Sequence, residues 1–302
     1  MAILSDDAEA PVQGRPAPLK VRHRAFEWGS RTYLMAILNV TPDSFSGDGL
    51  GADLEATRGR AREAIDGGAD IIDIGGESTR PGAVPISADE ELARVIPAVE
   101  AVRALTDLPI SVDTYKARVA TDALGAGADI INDVWALRGD PAMAGALAAA
   151  GCPVVLMHNR RGMAVGGKIG GHYAGTKYVD LLAEVAAKLG ESLRAAVEAG
   201  IEREKTIVDP GVGFGKNPDQ NLELVDRLGE LRALGRPILV GVSRKSFVAH
   251  ALGGAAEGRA WGTAAAVAVS IMRGADIVRV HDVREMAQVA RVTDRIVRRS
   301  VR

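Results

Sequence analysis

The sequence predicts an α/β fold, a (β/α)8 TIM-type barrel with a short N-terminal β-hairpin, and three observations lead to it. Eight short, continuously apolar runs alternate with stretches of helical periodicity. One helix-to-strand junction recurs in near-copies: Gly-Gly-Ala-Asp-Ile-Ile (67–72), Ala-Gly-Ala-Asp-Ile-Ile (126–131) and Arg-Gly-Ala-Asp-Ile-Val (273–278). Run after run, the residues that close the apolar segment are polar or charged. Strands apolar on both faces belong to a parallel sheet covered by helices. Strict βα alternation through eight strands favours a closed barrel over an open doubly wound sheet.

Residues 1–20 hold Asp6, Asp7, Glu9, Pro11, Gly14, Pro16 and Pro18 without apolar periodicity, the composition of a flexible tail. Residues 21–302 read as one barrel domain, because no boundary signal follows residue 33. The hairpin is expected over 21–33, where Val21, His23, Ala25 and Trp28 flank the turn signal Gly29-Ser30. Strands are expected at 34–38, 70–74, 109–112, 129–131, 153–157, 206–208, 237–240 and 276–280. Helical spacing marks 54–65, 92–105, 142–149, 179–199 and 263–272, and a C-terminal helix over 284–302 whose basic face reads as solvated. In the repeated junction, glycine just past a helix end is the expected C-terminal cap.

In a chain of 302 residues, 47% hydrophobic content is ample for the core of one barrel, about 250 residues being typical. The formal net charge of −2 gives no electrostatic footprint for nucleic acid or an anionic membrane. The single cysteine, Cys152, lies between Gly151 and Pro153 and reads as a small buried apolar residue. No run approaches the ~18 apolar residues of a membrane span. The N-terminus is acidic at Asp6 and Asp7 where a secretion signal is basic, so a cytoplasmic protein is expected. Two Walker-like strings fail: 162–168 is followed by Ile169 instead of a hydroxyl residue, and 211–216 has the wrong spacing.

Barrel active sites lie at the C-terminal strand ends. There the sequence puts Asn39 on the first strand, Asp113 on the third, Asn132 on the fourth, His158 on the fifth and Asp209 on the sixth. Lys245 follows the seventh strand, and Arg279 and His281 end the eighth. Asp133 and Asp282 are candidates to cap the helix that follows each. Burying Asp113, Asn132, Asp209, Lys245 and Arg279 together is costly without a polar ligand. Two carboxylates and an amide suit a heterocycle rich in N–H donors, such as the amidine-like edge of a 2-amino-4-oxo-pterin. Lys245 suits a ring carbonyl and ring nitrogen. Asn39, Arg279 and His281 sit on the first and eighth strands, adjacent where a barrel closes, and suit a phosphate. No cluster has the spacing of a tight metal site, whereas magnesium held partly by phosphate oxygens needs few protein ligands.

Eight motifs at successive strand ends carry a resemblance. They are Asn-Val-Thr-Pro-Asp-Ser-Phe-Ser (39–46), Gly-Gly-Glu-Ser-Thr-Arg-Pro-Gly-Ala (75–83), Ser-Val-Asp-Thr (111–114) and Ile-Asn-Asp-Val (131–134). Leu-Met-His (156–158), Asp-Pro-Gly-Val-Gly-Phe-Gly-Lys (209–216), Val-Ser-Arg-Lys-Ser (242–246) and Val-Arg-Val-His-Asp-Val (278–283) follow. Over residues 31–298 the sequence resembles the dihydropteroate synthase family. That resemblance implies condensation of 6-hydroxymethyl-7,8-dihydropterin diphosphate with p-aminobenzoate, release of pyrophosphate, a requirement for Mg2+, a homodimer, and inhibition by sulfonamides. It implies that Asp113, Asn132, Asp209 and Lys245 hold the pterin, with Met157 and Phe214 lining its slot. Asn39, Arg279 and His281 would hold the diphosphate, with Asn39 also a ligand of the metal. Phe45, Thr79, Arg80, Pro81, Ser243 and Lys245 would meet p-aminobenzoate. Lys245, Arg279, His281 and Asp113 are the implied catalytic set, and loops 39–51 and 75–87 would close over the substrates.

Two departures stand out against the family pattern. The first loop reads Ser46-Gly47-Asp48-Gly49 where Ser-Asp-Gly-Gly is usual, and Asn159-Arg160-Arg161-Gly162 follows His158. They keep open a binding-only paralogue that retains the pterin pocket without turnover. A pterin-dependent methyltransferase is a further alternative, opposed by the p-aminobenzoate motifs at 79–82 and 243–245.

Overall fold

A computed structural model of the chain describes residues 15–41, 50–79, 83–160, 177–254 and 259–298. Two short strands, β1 (Leu19–Val21) and β2 (Arg24–Phe26), pair antiparallel with Leu19 opposite Phe26. The hairpin is therefore real, but its turn is Arg22-His23, not Gly29-Ser30. Arg22 takes the left-handed conformation at φ 52, while Gly29, at φ 78, turns the chain from the hairpin into the barrel.

The barrel follows as β3 (Tyr33–Asn39), α1 (Leu50–Gly67), β4 (Ile71–Gly75), α2 (Ala88–Arg103), β5 (Ile110–Asp113), α3 (Ala117–Gly125) and β6 (Ile130–Asp133). It continues with α4 (Met143–Ala150), β7 (Val154–Met157), α5 (Leu181–Glu198), β8 (Thr206–Asp209) and α6 (Pro218–Asp226). It ends with β9 (Leu239–Val240), α7 (Ser246–Ala251), α8 (Arg259–Met272), β10 (Ile277–Val280) and α9 (Val283–Val297). Eight parallel strands run in the order β8-β7-β6-β5-β4-β3-β10-β9, and a parallel bridge from Val208 to Ile238 joins the two ends into a barrel. All eight expected strands are present. The helices α3, α6 and α7, of nine, nine and six residues, lie outside the segments marked by helical spacing.

The recurring junction has two structural jobs. Gly68, Gly127 and Gly274 adopt φ of 95°, 112° and 104°, which only glycine adopts without strain, and so end α1, α3 and α8. Its aspartates then pin the strand alongside. Asp70 donates its N–H to the Leu34 carbonyl at 2.8 Å and accepts the Leu34 N–H on Oδ2 at 2.9 Å. Asp129 does the same with Ile110, at 2.8 and 2.9 Å, and Asp276 with Ile238, at 2.9 and 3.0 Å. Each clamp satisfies an N–H at or within one residue of the start of a neighbouring strand, a donor too costly to bury unpaired.

Two apolar layers fill the fold. One lies between strands and helices and includes Ile72, Ile74, Val99, Val112, Leu156, Leu189, Val208 and Val240. The other fills the lower barrel with Met35, Ile71, Ile130, Val155, Ile207, Leu239 and Ile277. There the hairpin contributes Leu19, Val21, Phe26 and Trp28 and plugs the N-terminal end. Cys152 is buried as expected, and burial pushes its thiol up to about 11. Among the described residues no helix is long and apolar enough to cross a membrane.

Candidate active site

Side chains alternate along a strand, so the residues above the apolar layer on the same inward face build the opposite mouth. Above Ile71 comes Asp73; above Ile130, Asn132; above Val155, Met157; above Ile207, Asp209; above Ile277, Arg279. Asp113 holds the corresponding place on β5.

Arg279 is the centre. Its Nε donates to Asp73 Oδ2 at 2.6 Å and its Nη2 to Asp113 Oδ2 at 2.9 Å. Burial opposes its charge, yet Asp73 and Asp113 outweigh burial and hold the guanidinium above its ordinary pKa. Asn132 donates Nδ2 to the same Asp73 oxygen at 3.2 Å. Burial pushes Asp113 up to about 7 against the pull of Arg279. Asp209 is likewise pushed up to about 6 by burial, although its Oδ1 accepts the Gly211 N–H at 2.7 Å. Both carboxyls titrate close to neutrality, where hydrogen bonds from a ligand favour their charged forms.

An apolar wall stands beside these groups. Met157 and Phe214 cluster with Val134 and Trp135, and Tyr115 packs against them. Lys245 lies with Nζ 4.3 Å from the centre of the Phe214 ring, a cation–π contact. Asn39 faces Gly75, where an added Cβ would stand 3.5 Å from Asn39 Oδ1 and 3.6 Å from Asp113 Cβ. Glycine there keeps the gap between the two side chains open.

His281 and Ser243 form a pair, Oγ to Nδ1 at 3.0 Å, and the His281 N–H donates to Ser243 Oγ at 3.3 Å. Burial, with Arg244 and Arg279 adding to it, pushes His281 down to about 4. At neutral pH the imidazole is uncharged, so it meets an anion first as a hydrogen-bond donor. The pairing also sets Ser243 against the group expected at the diphosphate, not apart from it. Thr79 lies on the segment after β4. Phe45, Arg80 and Pro81 lie outside the described residues, as do Gly47, Asp48 and Arg161 of the two departures. Arg160 pairs with Glu184 at 2.9 Å and covers the Tyr178 ring.

The candidate caps resolve differently. Asp133 accepts the N–H groups of Trp135 and Leu137 at 2.8 and 2.6 Å, holding a turn ahead of α4. Asp282 makes no cap bond to α9 and instead pairs with Arg244. Its position suggested a cap, but a guanidinium within reach offers a carboxylate a stronger partner than a backbone N–H.

Sequence reasoning missed Asp73. It lies inside the apolar run 70–74, and the available signal was the charge itself, one carboxylate on the inward face of a strand otherwise made of isoleucine and glycine. It also missed the ion cluster under the second loop. Lys116 Nζ binds Glu77 and Glu91, Tyr115 Oη donates to Glu77 Oε1 at 3.1 Å, and Arg94 donates to the Gly76 carbonyl at 3.0 Å. These contacts anchor the start of the loop that carries Thr79.

An eight-stranded barrel whose mouth sets paired carboxylates, an amide and cations against an apolar wall is built to bind a flat polar heterocycle. Residues 35–281 match the family model described as pterin binding enzyme. The chain is 45% identical to the dihydropteroate synthase of Clostridium beijerinckii over 282 residues, 93% of this chain and 100% of that one. A crystal structure of the Clostridium difficile dihydropteroate synthase in the presence of pteroic acid superposes with TM-score 0.83 at 45% identity, covering 91% of this chain and 100% of that chain. The Xanthomonas albilineans dihydropteroate synthase with 4-aminobenzoic acid gives TM-score 0.82 at 42% identity, covering 90% and 94%. The chain belongs to the dihydropteroate synthase family.

Proposed function

We propose that the chain joins 6-hydroxymethyl-7,8-dihydropterin diphosphate to p-aminobenzoate, giving 7,8-dihydropteroate and pyrophosphate, a transferase step of folate biosynthesis. The observation that carries this reading is the convergence of Asp113, Asn132, Asp209 and Arg279 beside the Met157–Phe214 wall. A pterin ring would lie against that wall, its N–H edge on Asp209 and Asn132 and its carbonyl on Lys245. The ligands named with the two related structures, pteroic acid and 4-aminobenzoic acid, support the pair of substrates.

Asn39, Arg279 and His281 would receive the diphosphate. Arg279 supplies fixed charge where charge develops on the leaving group, the situation in which a preorganised cation is most effective. His281 supplies a donor that takes up a proton as the anion raises its pKa. The bond from the pterin methylene to the diphosphate oxygen breaks, the aniline nitrogen bonds to the methylene, and that nitrogen gives one proton to water. Thr79, Ser243 and Lys245, with Phe45, Arg80 and Pro81, would surround the p-aminobenzoate.

Among the described residues no group of three or more His, Cys, Asp or Glu could hold a metal ion. The amide oxygen of Asn39, the donor present, suits Mg2+ whose other ligands are diphosphate oxygens and water. When bound, Mg2+ would neutralise charge on the leaving pyrophosphate. A homodimer is supported by the apolar strip on α8 and α9, where Trp261, Met272, Val292 and Ile296 are 82, 58, 62 and 59% exposed. A cytoplasmic location fits a pathway that consumes soluble metabolites.

The test is pyrophosphate release by the purified protein with pterin diphosphate, Mg2+ and p-aminobenzoate, followed together with dihydropteroate formation. Release that depends on both substrates is expected. Pterin binding without turnover would replace this reading by the binding-only one.

A further inference from the structure

The loop after β8 is folded back on the end of β7. Gly211, at φ 69, lies so close that an added Cβ would fall 1.9 Å from the His158 carbonyl oxygen. Gly215, also at φ 69, would bring a Cβ to 2.9 Å from Arg160 Cβ. Into this fold-back turns Lys216, only 2% exposed. Its Nζ lies 3.0 Å from each of three acceptors: the Gly211 carbonyl, the Phe214 carbonyl and His158 Nδ1.

Each acceptor is one step from the pterin slot. Gly211 donates its N–H to Asp209 Oδ1. Phe214 carries the ring under Lys245. His158 follows Met157, and its N–H donates to the Asp209 carbonyl at 2.8 Å. Lys216 itself does not belong to the apolar wall or to the Arg279 cluster.

We propose that Lys216 and His158 form a buried ammonium–imidazole clamp that positions Asp209, Phe214 and Met157 for the pterin. Lys216 is a positioning residue; the inference rests on the pterin-slot reading above. An ammonium has donors only, so His158 must present the lone pair of Nδ1 and carry its proton on Nε2. That nitrogen is buried without a partner. The imidazole therefore forgoes one hydrogen bond to keep its acceptor on Lys216. Burial and then the Lys216 charge push His158 down to about 2, which keeps it neutral and excludes it as a proton carrier at working pH.

Lys216→Met removes the donor while keeping the stem. About tenfold or greater loss of pterin affinity, read by calorimetry with 6-hydroxymethylpterin, is expected from a displaced slot. The KM for the pterin diphosphate should rise by a similar factor, with that for p-aminobenzoate unchanged. His158→Leu should share the defect, and His158→Asn, whose Oδ1 replaces the Nδ1 acceptor, should largely restore binding. In the wild type, 15N NMR should show the His158 ring as the non-titrating Nε2–H tautomer from pH 5 to 8. A folded Lys216→Met protein with wild-type pterin affinity overturns the clamp. Should that variant not fold, equal pterin affinities for His158→Leu and His158→Asn overturn it instead. A wild-type protein that does not bind pterin would strike the proposed function.

Discussion

Aspartate is used in opposite ways at the two ends of this barrel, and β4 shows both. At the lower end Asp70 gives its oxygens to the Leu34 N–H and to Arg31, and Asp129 gives its own to the Ile110 N–H and to Arg103. At the mouth, Asp73 is completely buried with Oδ1 unpartnered, and Asp113 shares a single guanidinium with it. The lower aspartates complete the fold's own hydrogen bonding. The upper ones are packed around a cation in an arrangement that the protein alone leaves unfinished. An interior that stabilises itself has no reason to hold two carboxylates on one arginine, because desolvation costs more than the pairing returns. A ligand with donors removes that objection.

Removing a lower aspartate should therefore cost stability and spare function. Asp129→Ala leaves Arg103 and the Ile110 N–H without their partner, a loss of about 3–5 kcal/mol when a largely buried pair is broken. Denaturant unfolding should show this loss, with pterin affinity of the folded protein unchanged. Lost affinity at full stability would erase the distinction between the two ends.

Removing an upper aspartate should do the reverse. Asp209→Asn should weaken pterin binding by about 1.5–3 kcal/mol, the worth of a charge-assisted hydrogen bond. Unfolding stability at pH 8 should stay level or rise, since a buried carboxylate is gone. Calorimetry and denaturant melts on the same preparation check both halves. Undiminished affinity would take Asp209 out of the pterin site.

The same contrast predicts a pH dependence of the ligand-free protein. Asp209 and Asp113 are raised by burial to about 6 and about 7, above an unfolded value near ~3.9. The native state therefore holds more protons than the unfolded state between these values. Their stabilising contribution is full below about pH 4 and is lost as pH climbs through 6 and 7. His158 and His281, held neutral by burial, contribute stability that rises with pH through about 6.5. The carboxyl part is therefore read as a difference: relative to Asp209→Asn, the wild type should lose about 1–3 kcal/mol from pH 5 to pH 8. A wild-type profile that parallels that of Asp209→Asn over this range would mean that the Asp209 carboxyl is not raised.

The repeated Gly-Ala-Asp-Ile junction made the lower end partly legible in the sequence, because glycine caps and apolar runs obey local rules. Its aspartates were not, since each clamps a strand lying beside it in space and distant along the chain. At the mouth, Asp113, Asn132, Asp209 and Arg279 were legible as polar ends of apolar strands. Asp73 was hidden by its apolar neighbours, and Lys216 by a glycine-rich string that reads as a phosphate-loop match of the wrong spacing. The hairpin turn was misplaced because Gly29 is the stronger turn signal, whereas the tighter reversal falls on Arg22 in a conformation few arginines adopt.

Between the two ends lies one residue that belongs to neither. Ser111 is fully buried on the inward face of β5, below Asp113, and its Oγ has no hydrogen-bond partner. A buried hydroxyl left unsatisfied costs about 1–3 kcal/mol, whereas the change to alanine removes a single heavy atom. Ser111→Ala should therefore raise stability by about 0.5–1 kcal/mol and leave both KM values unchanged. A drop in stability would mean that the hydroxyl holds a buried water at the boundary between the apolar layer and the polar mouth. The mouth would then extend one layer deeper, and Asp73 Oδ1 would be the first group to examine for a contact with that water.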